Sequence, residues 1–123
     1  MKLSKSHTYY YESWTKNFSG LSEQAKQIQR RNAPAAIQLY EQAYQIAKDN
    51  KMEISYYEPI IHRLLVLYRR IGKNVEEIVL LRNVIEENSA YEATEKWIKR
   101  LDKKLLNGQT SNWLEFKNNN SPT

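Results

Sequence analysis

The sequence predicts an all-α protein made of antiparallel helical hairpins, about five helices in total. Three observations carry this. Apolar residues recur at helical spacing (i, i+3, i+4, i+7) along most of the chain between Leu21 and Leu105. Only three glycines and three prolines are present, too little turn chemistry for a strand-rich fold. The chain also echoes itself. AIQLYEQAYQI at 36–46 lines up with EIVLLRNVIEE at 77–87, which places Ile37 on Ile78, Leu39 on Leu80, Tyr40 on Leu81 and Ala43 on Val84. A helical pattern that returns at a fixed offset, here 41 residues, marks hairpins stacked on one another.

The elements follow in order. Residues 1–18 form an aromatic-rich N-terminal segment with Tyr9, Tyr10, Tyr11, Trp14 and Phe18. Its simplest role is to pack onto the first two helices; base stacking or partner docking is the functional alternative. Ser19-Gly20 interrupts the pattern, and Ser22 can cap a first helix running to about Arg31, with Leu21, Ala25 and Ile28 on its stripe. Asn32-Ala33-Pro34 opens the second helix, about 34–48, because a proline in the first turn gives up an N–H that has no partner there. Its apolar face is Ala36, Ile37, Leu39, Tyr40, Ala43, Tyr44, Ile46 and Ala47.

The third helix covers about 52–71 with Ile54, Tyr57, Ile61, Leu64, Leu65 and Tyr68 inward. Pro59 either kinks it or stands in its first turn, the regular part then beginning near Tyr57. Gly72 stops it, with Arg69 and Arg70 in the last turn. Asn74 caps the fourth helix and Glu77 completes a capping box. The face expected inward is Val75, Ile78, Leu81, Val84 and Ile85, widened by Val79 and Leu80. Ser89 with Glu92 forms a second box opening a fifth helix over about 90–106. That helix would bury Tyr91, Thr94, Trp97 or Ile98, Leu101 and Leu105, and present Lys96, Lys99, Arg100, Lys103 and Lys104 on the other side. Residues 107–123 read as a flexible polar tail that cannot bury enough apolar surface to order itself, apart from Trp113, Leu114 and Phe116.

These spacings resemble the tetratricopeptide repeat family over about residues 20–90. Leu64, Leu65, Tyr68 and Gly72 stand at first-helix signature positions of the second unit, and Leu81 and Val84 at second-helix positions. Ala36, Tyr40 and Ala43 match the second helix of the first unit. Glu77 stands where the family prefers Ala, and Gln24 and Gln27 fall where it is apolar or aromatic. The 41-residue offset exceeds the usual repeat of about 34 by two helical turns, like the family's long-helix variants. The resemblance implies a short right-handed superhelix over 19–106, in which the first helix of each pair lines a concave groove. It places His62, Val66, Arg69 and Arg70 in that groove as the partner-binding residues. Val66 occupies the place of the Asn that some members use to clamp a terminal carboxylate, so that clamp is not implied.

Composition narrows the function. With no cysteine and only His7 and His62, thiolate chemistry and a histidine-rich metal site are excluded, and no cofactor is expected. The N-terminus has no apolar run behind its lysine and no stretch approaches the about 20 apolar residues of a membrane span, which fits a cytoplasmic protein. His62 reads as a half-buried structural histidine with no carboxylate or second histidine placed to activate it. Glu76-Glu77 and Glu86-Glu87 do not converge, since helix neighbours point about 100° apart, and their expected roles are capping and solvation. No phosphate-cradling loop or nucleophile–base arrangement is visible, so an enzyme is not expected.

Two roles remain open. One is a protein-interaction module whose groove takes a peptide or protein, an acidic one given the net charge of +5. The other is a small nucleic-acid-associated protein using Lys96, Lys99, Arg100, Lys103 and Lys104, although Glu92, Glu95 and Asp102 dilute that field. Two repeats are also fewer than the about three a solenoid normally needs. Self-association, or docking of Trp113–Phe116 into an apolar groove, is therefore a third expectation.

Overall fold

The computed structural model describes the backbone of residues 2–108 and the side chains of residues 13–106. Among them are five α-helices and no strand: α1 (Lys2–Ile28), α2 (Ala33–Asp49), α3 (Ile54–Arg70), α4 (Asn74–Glu87) and α5 (Thr94–Gly108). The all-α class with about five helices is thus the observed one. The helices divide into two compact units, Met1–Asn74 and Val75–Thr123. The side chains of Tyr9, Tyr10 and Tyr11, and the whole of 109–123 with Trp113, Leu114 and Phe116, lie outside the described residues.

In the first unit α2 packs against both α1 and α3. Ala25 of α1 and Ala36, Ala43 and Ala47 of α2 are fully buried, and such small side chains let helix backbones approach closely. Ile37 and Tyr40 fill the space between them, and α3 buries a broad arc that includes Tyr57, Ile61, Leu64, Leu65 and Tyr68. Polar ties complete the packing. The Tyr68 hydroxyl donates to Glu41 Oε2 at 2.5 Å, and Tyr44 meets the Tyr57 ring edge-on with centroids 5.9 Å apart.

The helix ends show why the chain turns where it does. Asn32 caps α2, its Oδ1 accepting from Ala35 N at 3.2 Å, with Pro34 in the first turn as expected. Both α2 and α3 close with the paired bonds of a Schellman turn. In α3, Lys73 N donates to Tyr68 O at 2.8 Å and Gly72 N to Arg69 O at 3.3 Å, with Gly72 at φ +75. In α2, Met52 N donates to Ala47 O at 2.8 Å and Lys51 N to Lys48 O at 3.1 Å. Here the left-handed residue is Lys51, at φ 53.

Several expectations are corrected. Ser19-Gly20 does not break the chain: α1 runs straight through. Ser22 is not a cap, since its hydroxyl donates back to Phe18 O at 2.8 Å inside the helix. A helical glycine costs only about 1 kcal/mol relative to alanine, and the packing of α1 on α2 outweighs it. Pro59 stands in the second turn of a helix that begins at Ile54, rather than in the first turn. It removes one donor, and the carbonyl left over belongs to exposed Ser55, within reach of water.

The second unit differs more. Residues 88–93 form turns, so α5 begins at Thr94 and the Ser89–Glu92 box does not open it. The Thr94 hydroxyl donates instead to the Asn88 carbonyl, and Asn88 Nδ2 returns to Val84 O at 2.9 Å, so that side chains close the end of α4. On α4, Leu80, Leu81 and Val84 are buried while Val75 and Val79 are exposed. The buried place one turn before Leu80 and Leu81 belongs to Glu77, which is 1% exposed and so not solvated; it does not complete a capping box either, since Asn74 N donates to Gly72 O and Glu77 Oε2 accepts from Arg100. Its partners come from α5. Arg100 Nη2 lies 3.1 Å from Oε2, with Nε donating to the same oxygen at 3.2 Å, and Lys104 Nζ lies 2.8 Å from Oε1. The last is a charge contact without hydrogen-bond alignment. Of the alternatives Trp97 and Ile98, Trp97 is buried, its ring tilted on Tyr91 at 6.1 Å. Arg100 and Lys104 thus face α4, and Ile98 points to solvent.

Candidate functional site

A concavity among the described residues lies in the first unit, an open groove of about 410 Å³ walled by α1 and α3 with α2 at its floor. Each wall exists for a local reason. Because α1 does not stop at Gly20, Phe18 and Ser22 stand on the same continuous helix as Glu23 and Lys26, and all four line the groove. On α3, Tyr56, Pro59, Ile60 and Arg63 follow i, i+3, i+4, i+7 spacing, a second stripe beside the core stripe of that helix. From α2 comes Tyr40, whose ring is buried and whose hydroxyl donates to Gln29 Oε1 at 3.2 Å.

The groove is amphipathic. Phe18, Pro59 and Ile60 supply apolar wall, and Tyr56 stands at the rim 70% exposed, an aromatic side chain with most of its surface uncovered. Glu23, Lys26 and Arg63 supply charge, and none of the three has an ion-pair partner among the described residues. At the floor, burial pushes the Tyr40 hydroxyl above its ordinary pKa, Arg63 opposes that rise and Glu23 adds to it. Tyr40 is therefore a neutral hydroxyl throughout the physiological range. This arrangement can hold an extended chain by covering apolar surface and pairing charges. It contains no acid–base pair aimed at a common point.

The residues expected to line a groove on α3 fall on different sides of it. His62 and Arg69 are exposed, and at about 100° per residue they lie roughly 120° around the helix from the groove stripe. The half-buried histidine of the sequence reading is thus an exposed one, because position 62 falls outside the core arc. Val66 is half-buried. Arg70 continues the stripe of Arg63 two turns on and is engaged within the unit, its Nη1 donating to Gln29 O at 3.4 Å at the carboxyl end of α1. None of the four lines the 410 Å³ groove.

The basic face of α5 is also divided. Lys96, Lys99 and Lys103 are exposed, whereas Arg100 and Lys104 pair with Glu77. Three dispersed lysines, with Glu95 just before them and Asp102 between Lys99 and Lys103, make a weak polyanion surface.

Sequence reading missed Glu23, Lys26, Tyr56 and Arg63, and named Phe18 only as part of the aromatic N-terminal segment. The signal on α3 was available as a second helical stripe, 56, 59, 60 and 63. The signal on α1 was hidden by the Ser19-Gly20 interruption. No protein-family model, no curated protein and no solved structure matches the chain.

Proposed function

We propose that this chain is a non-enzymatic interaction module that takes a peptide segment of a protein partner in the α1–α3 groove of its first unit. The observation that carries the reading is the groove itself, which joins an exposed aromatic rim at Tyr56 to the charged groups of Glu23, Lys26 and Arg63, none of which has an ion-pair partner among the described residues. Exposed aromatic and arginine side chains at the edge of a concave pocket are the residue types that anchor protein interfaces. The tetratricopeptide resemblance points the same way, because it assigns partner binding to first helices of hairpins, and α1 and α3 hold those places. The Asn50–Glu53 link between two helices of 17 residues each also suits the long-helix variant, since the added length lies in the helices.

The nucleic-acid reading is second. It rested on five cations of α5, and the pairing of Arg100 and Lys104 with Glu77 leaves three. One experiment separates the two. A photo-crosslinking amino acid is placed at Tyr56 in one variant and at Lys99 in another, both exposed positions. Expected is a defined protein adduct at Tyr56 that disappears with Arg63→Glu. A nucleic-acid adduct at Lys99, with nothing at Tyr56, overturns the proposal. Such nucleic-acid binding would also weaken with salt by about 0.9 log unit of affinity per log unit of salt for each phosphate contact.

A further inference from the structure

The groove also carries information about what it selects. Its apolar and cationic parts adjoin on one helix face: Arg63 stands three and four residues from Ile60 and Pro59, so their Cβ atoms are about 5–6 Å apart. Lys26 adds a second cation from the opposite wall. The guanidinium is a planar fork that matches a carboxylate, and with no ion-pair partner among the described residues it is open to one from outside. The same wall that holds Lys26 holds Glu23, one helical turn earlier. A long acidic run or a polyphosphate would bring negative charge against that carboxylate.

We infer that the groove selects an extended peptide with an aromatic or large aliphatic side chain and a single carboxylate side chain two residues away, Arg63 being the residue that reads the carboxylate. The inference rests on the groove reading above and deepens it. In an extended chain, side chains two residues apart share a face and are about 7 Å apart, so one can cover the Ile60–Pro59 surface while the other reaches the long side chain of Arg63 one helical turn away. The bulky side chain covers Phe18, Tyr56 and Ile60, and the carboxylate meets Arg63 and Lys26. The partner is thus narrower than the generally acidic one suggested by the net charge of +5.

The test uses the full chain and fluorescence polarisation with labelled heptapeptides Gly-Ser-Trp-Gly-X-Ser-Gly, where X is Glu, Gln or Lys. A fourth peptide has Ser in place of Trp and Glu at X, and a fifth is all glutamate. Expected is about tenfold tighter binding for Glu than for Gln, since a charge-assisted bidentate contact is lost, and weaker binding still for Lys. Arg63→Glu should reverse the order of the Glu and Lys peptides, a reversal no loss of folding produces. Arg69→Glu, an equal charge change off the groove stripe, should leave the order intact. Equal binding of the Glu and Gln peptides, abolished by Tyr56→Ser, overturns the inference and leaves the groove reading standing. Best binding by the all-glutamate or the Trp-free peptide overturns it as simple charge attraction. Binding of no peptide overturns it too. A concentration-dependent dimer broken by Arg63→Glu then marks a second copy as occupant, and absence of a crosslink at Tyr56 removes the groove reading as well.

Discussion

Glu77 shows most clearly how one side chain redirects this chain. A carboxylate in the stripe of Leu80, Leu81 and Val84 is costly to bury alone and is tolerated because Arg100 and Lys104 come to meet it. Glu77→Gln leaves two cations facing a neutral amide, and should lower stability by about 2–3 kcal/mol, the partial exposure of both partners reducing the full cost of breaking a buried pair. Thermal and urea denaturation measure it, and an unchanged midpoint would mean that the carboxylate is solvated. At Lys51 the sign reverses. A lysine at φ 53 pays a steric penalty that glycine avoids, so Lys51→Gly should stabilise the protein by about 0.5–1 kcal/mol in the same assay. Tyr40 ties the fold to alkaline pH. Because its folded pKa is raised, chiefly by burial, its contribution is fully present below the ordinary value of about 10 and is lost as pH climbs through the higher folded value. Stability should therefore fall in that alkaline window, and Tyr40→Phe should remove that part of the slope.

At the scale of elements, α1 and α5 carry the lessons. The continuity of α1 through Gly20 is what puts Phe18 and Lys26 on one wall of the groove. An added Cβ at Gly20 meets nothing within 4 Å, so Gly20→Ala should stabilise the helix by about 0.5–1 kcal/mol and raise its amide-exchange protection. A destabilising effect would show a break there. The ends of α2 and α3 were legible in the sequence because Asn32, Pro34 and Gly72 act locally, through one cap, one missing N–H and one left-handed residue. The path of α1 and the facing of α5 were not, because each is decided by what the helix packs against. Gly20 looks like a stop until packing on α2 is counted, and Arg100 looks solvated until a buried carboxylate is found across from it. The groove was half legible. Its α3 wall is a readable stripe, while its α1 wall depends on a helix that local signals terminate.

At the scale of the molecule, the two compact units differ in how their charged side chains are used. The second unit uses two of its five most suggestive cations to hold itself together, and the first carries the groove. No helix among the described residues is long and apolar enough to cross a membrane. The central claim is that a partner peptide is received by the first unit between α1 and α3. Its most direct test is backbone amide shift mapping of the isotopically labelled full chain, titrated with the Glu heptapeptide. The account predicts perturbations concentrated at Phe18–Lys26, around Tyr40 and at Tyr56–Arg63, with α5 silent. Perturbations confined to α5 around Lys96, Lys99 and Lys103, with the groove residues unmoved, would contradict it.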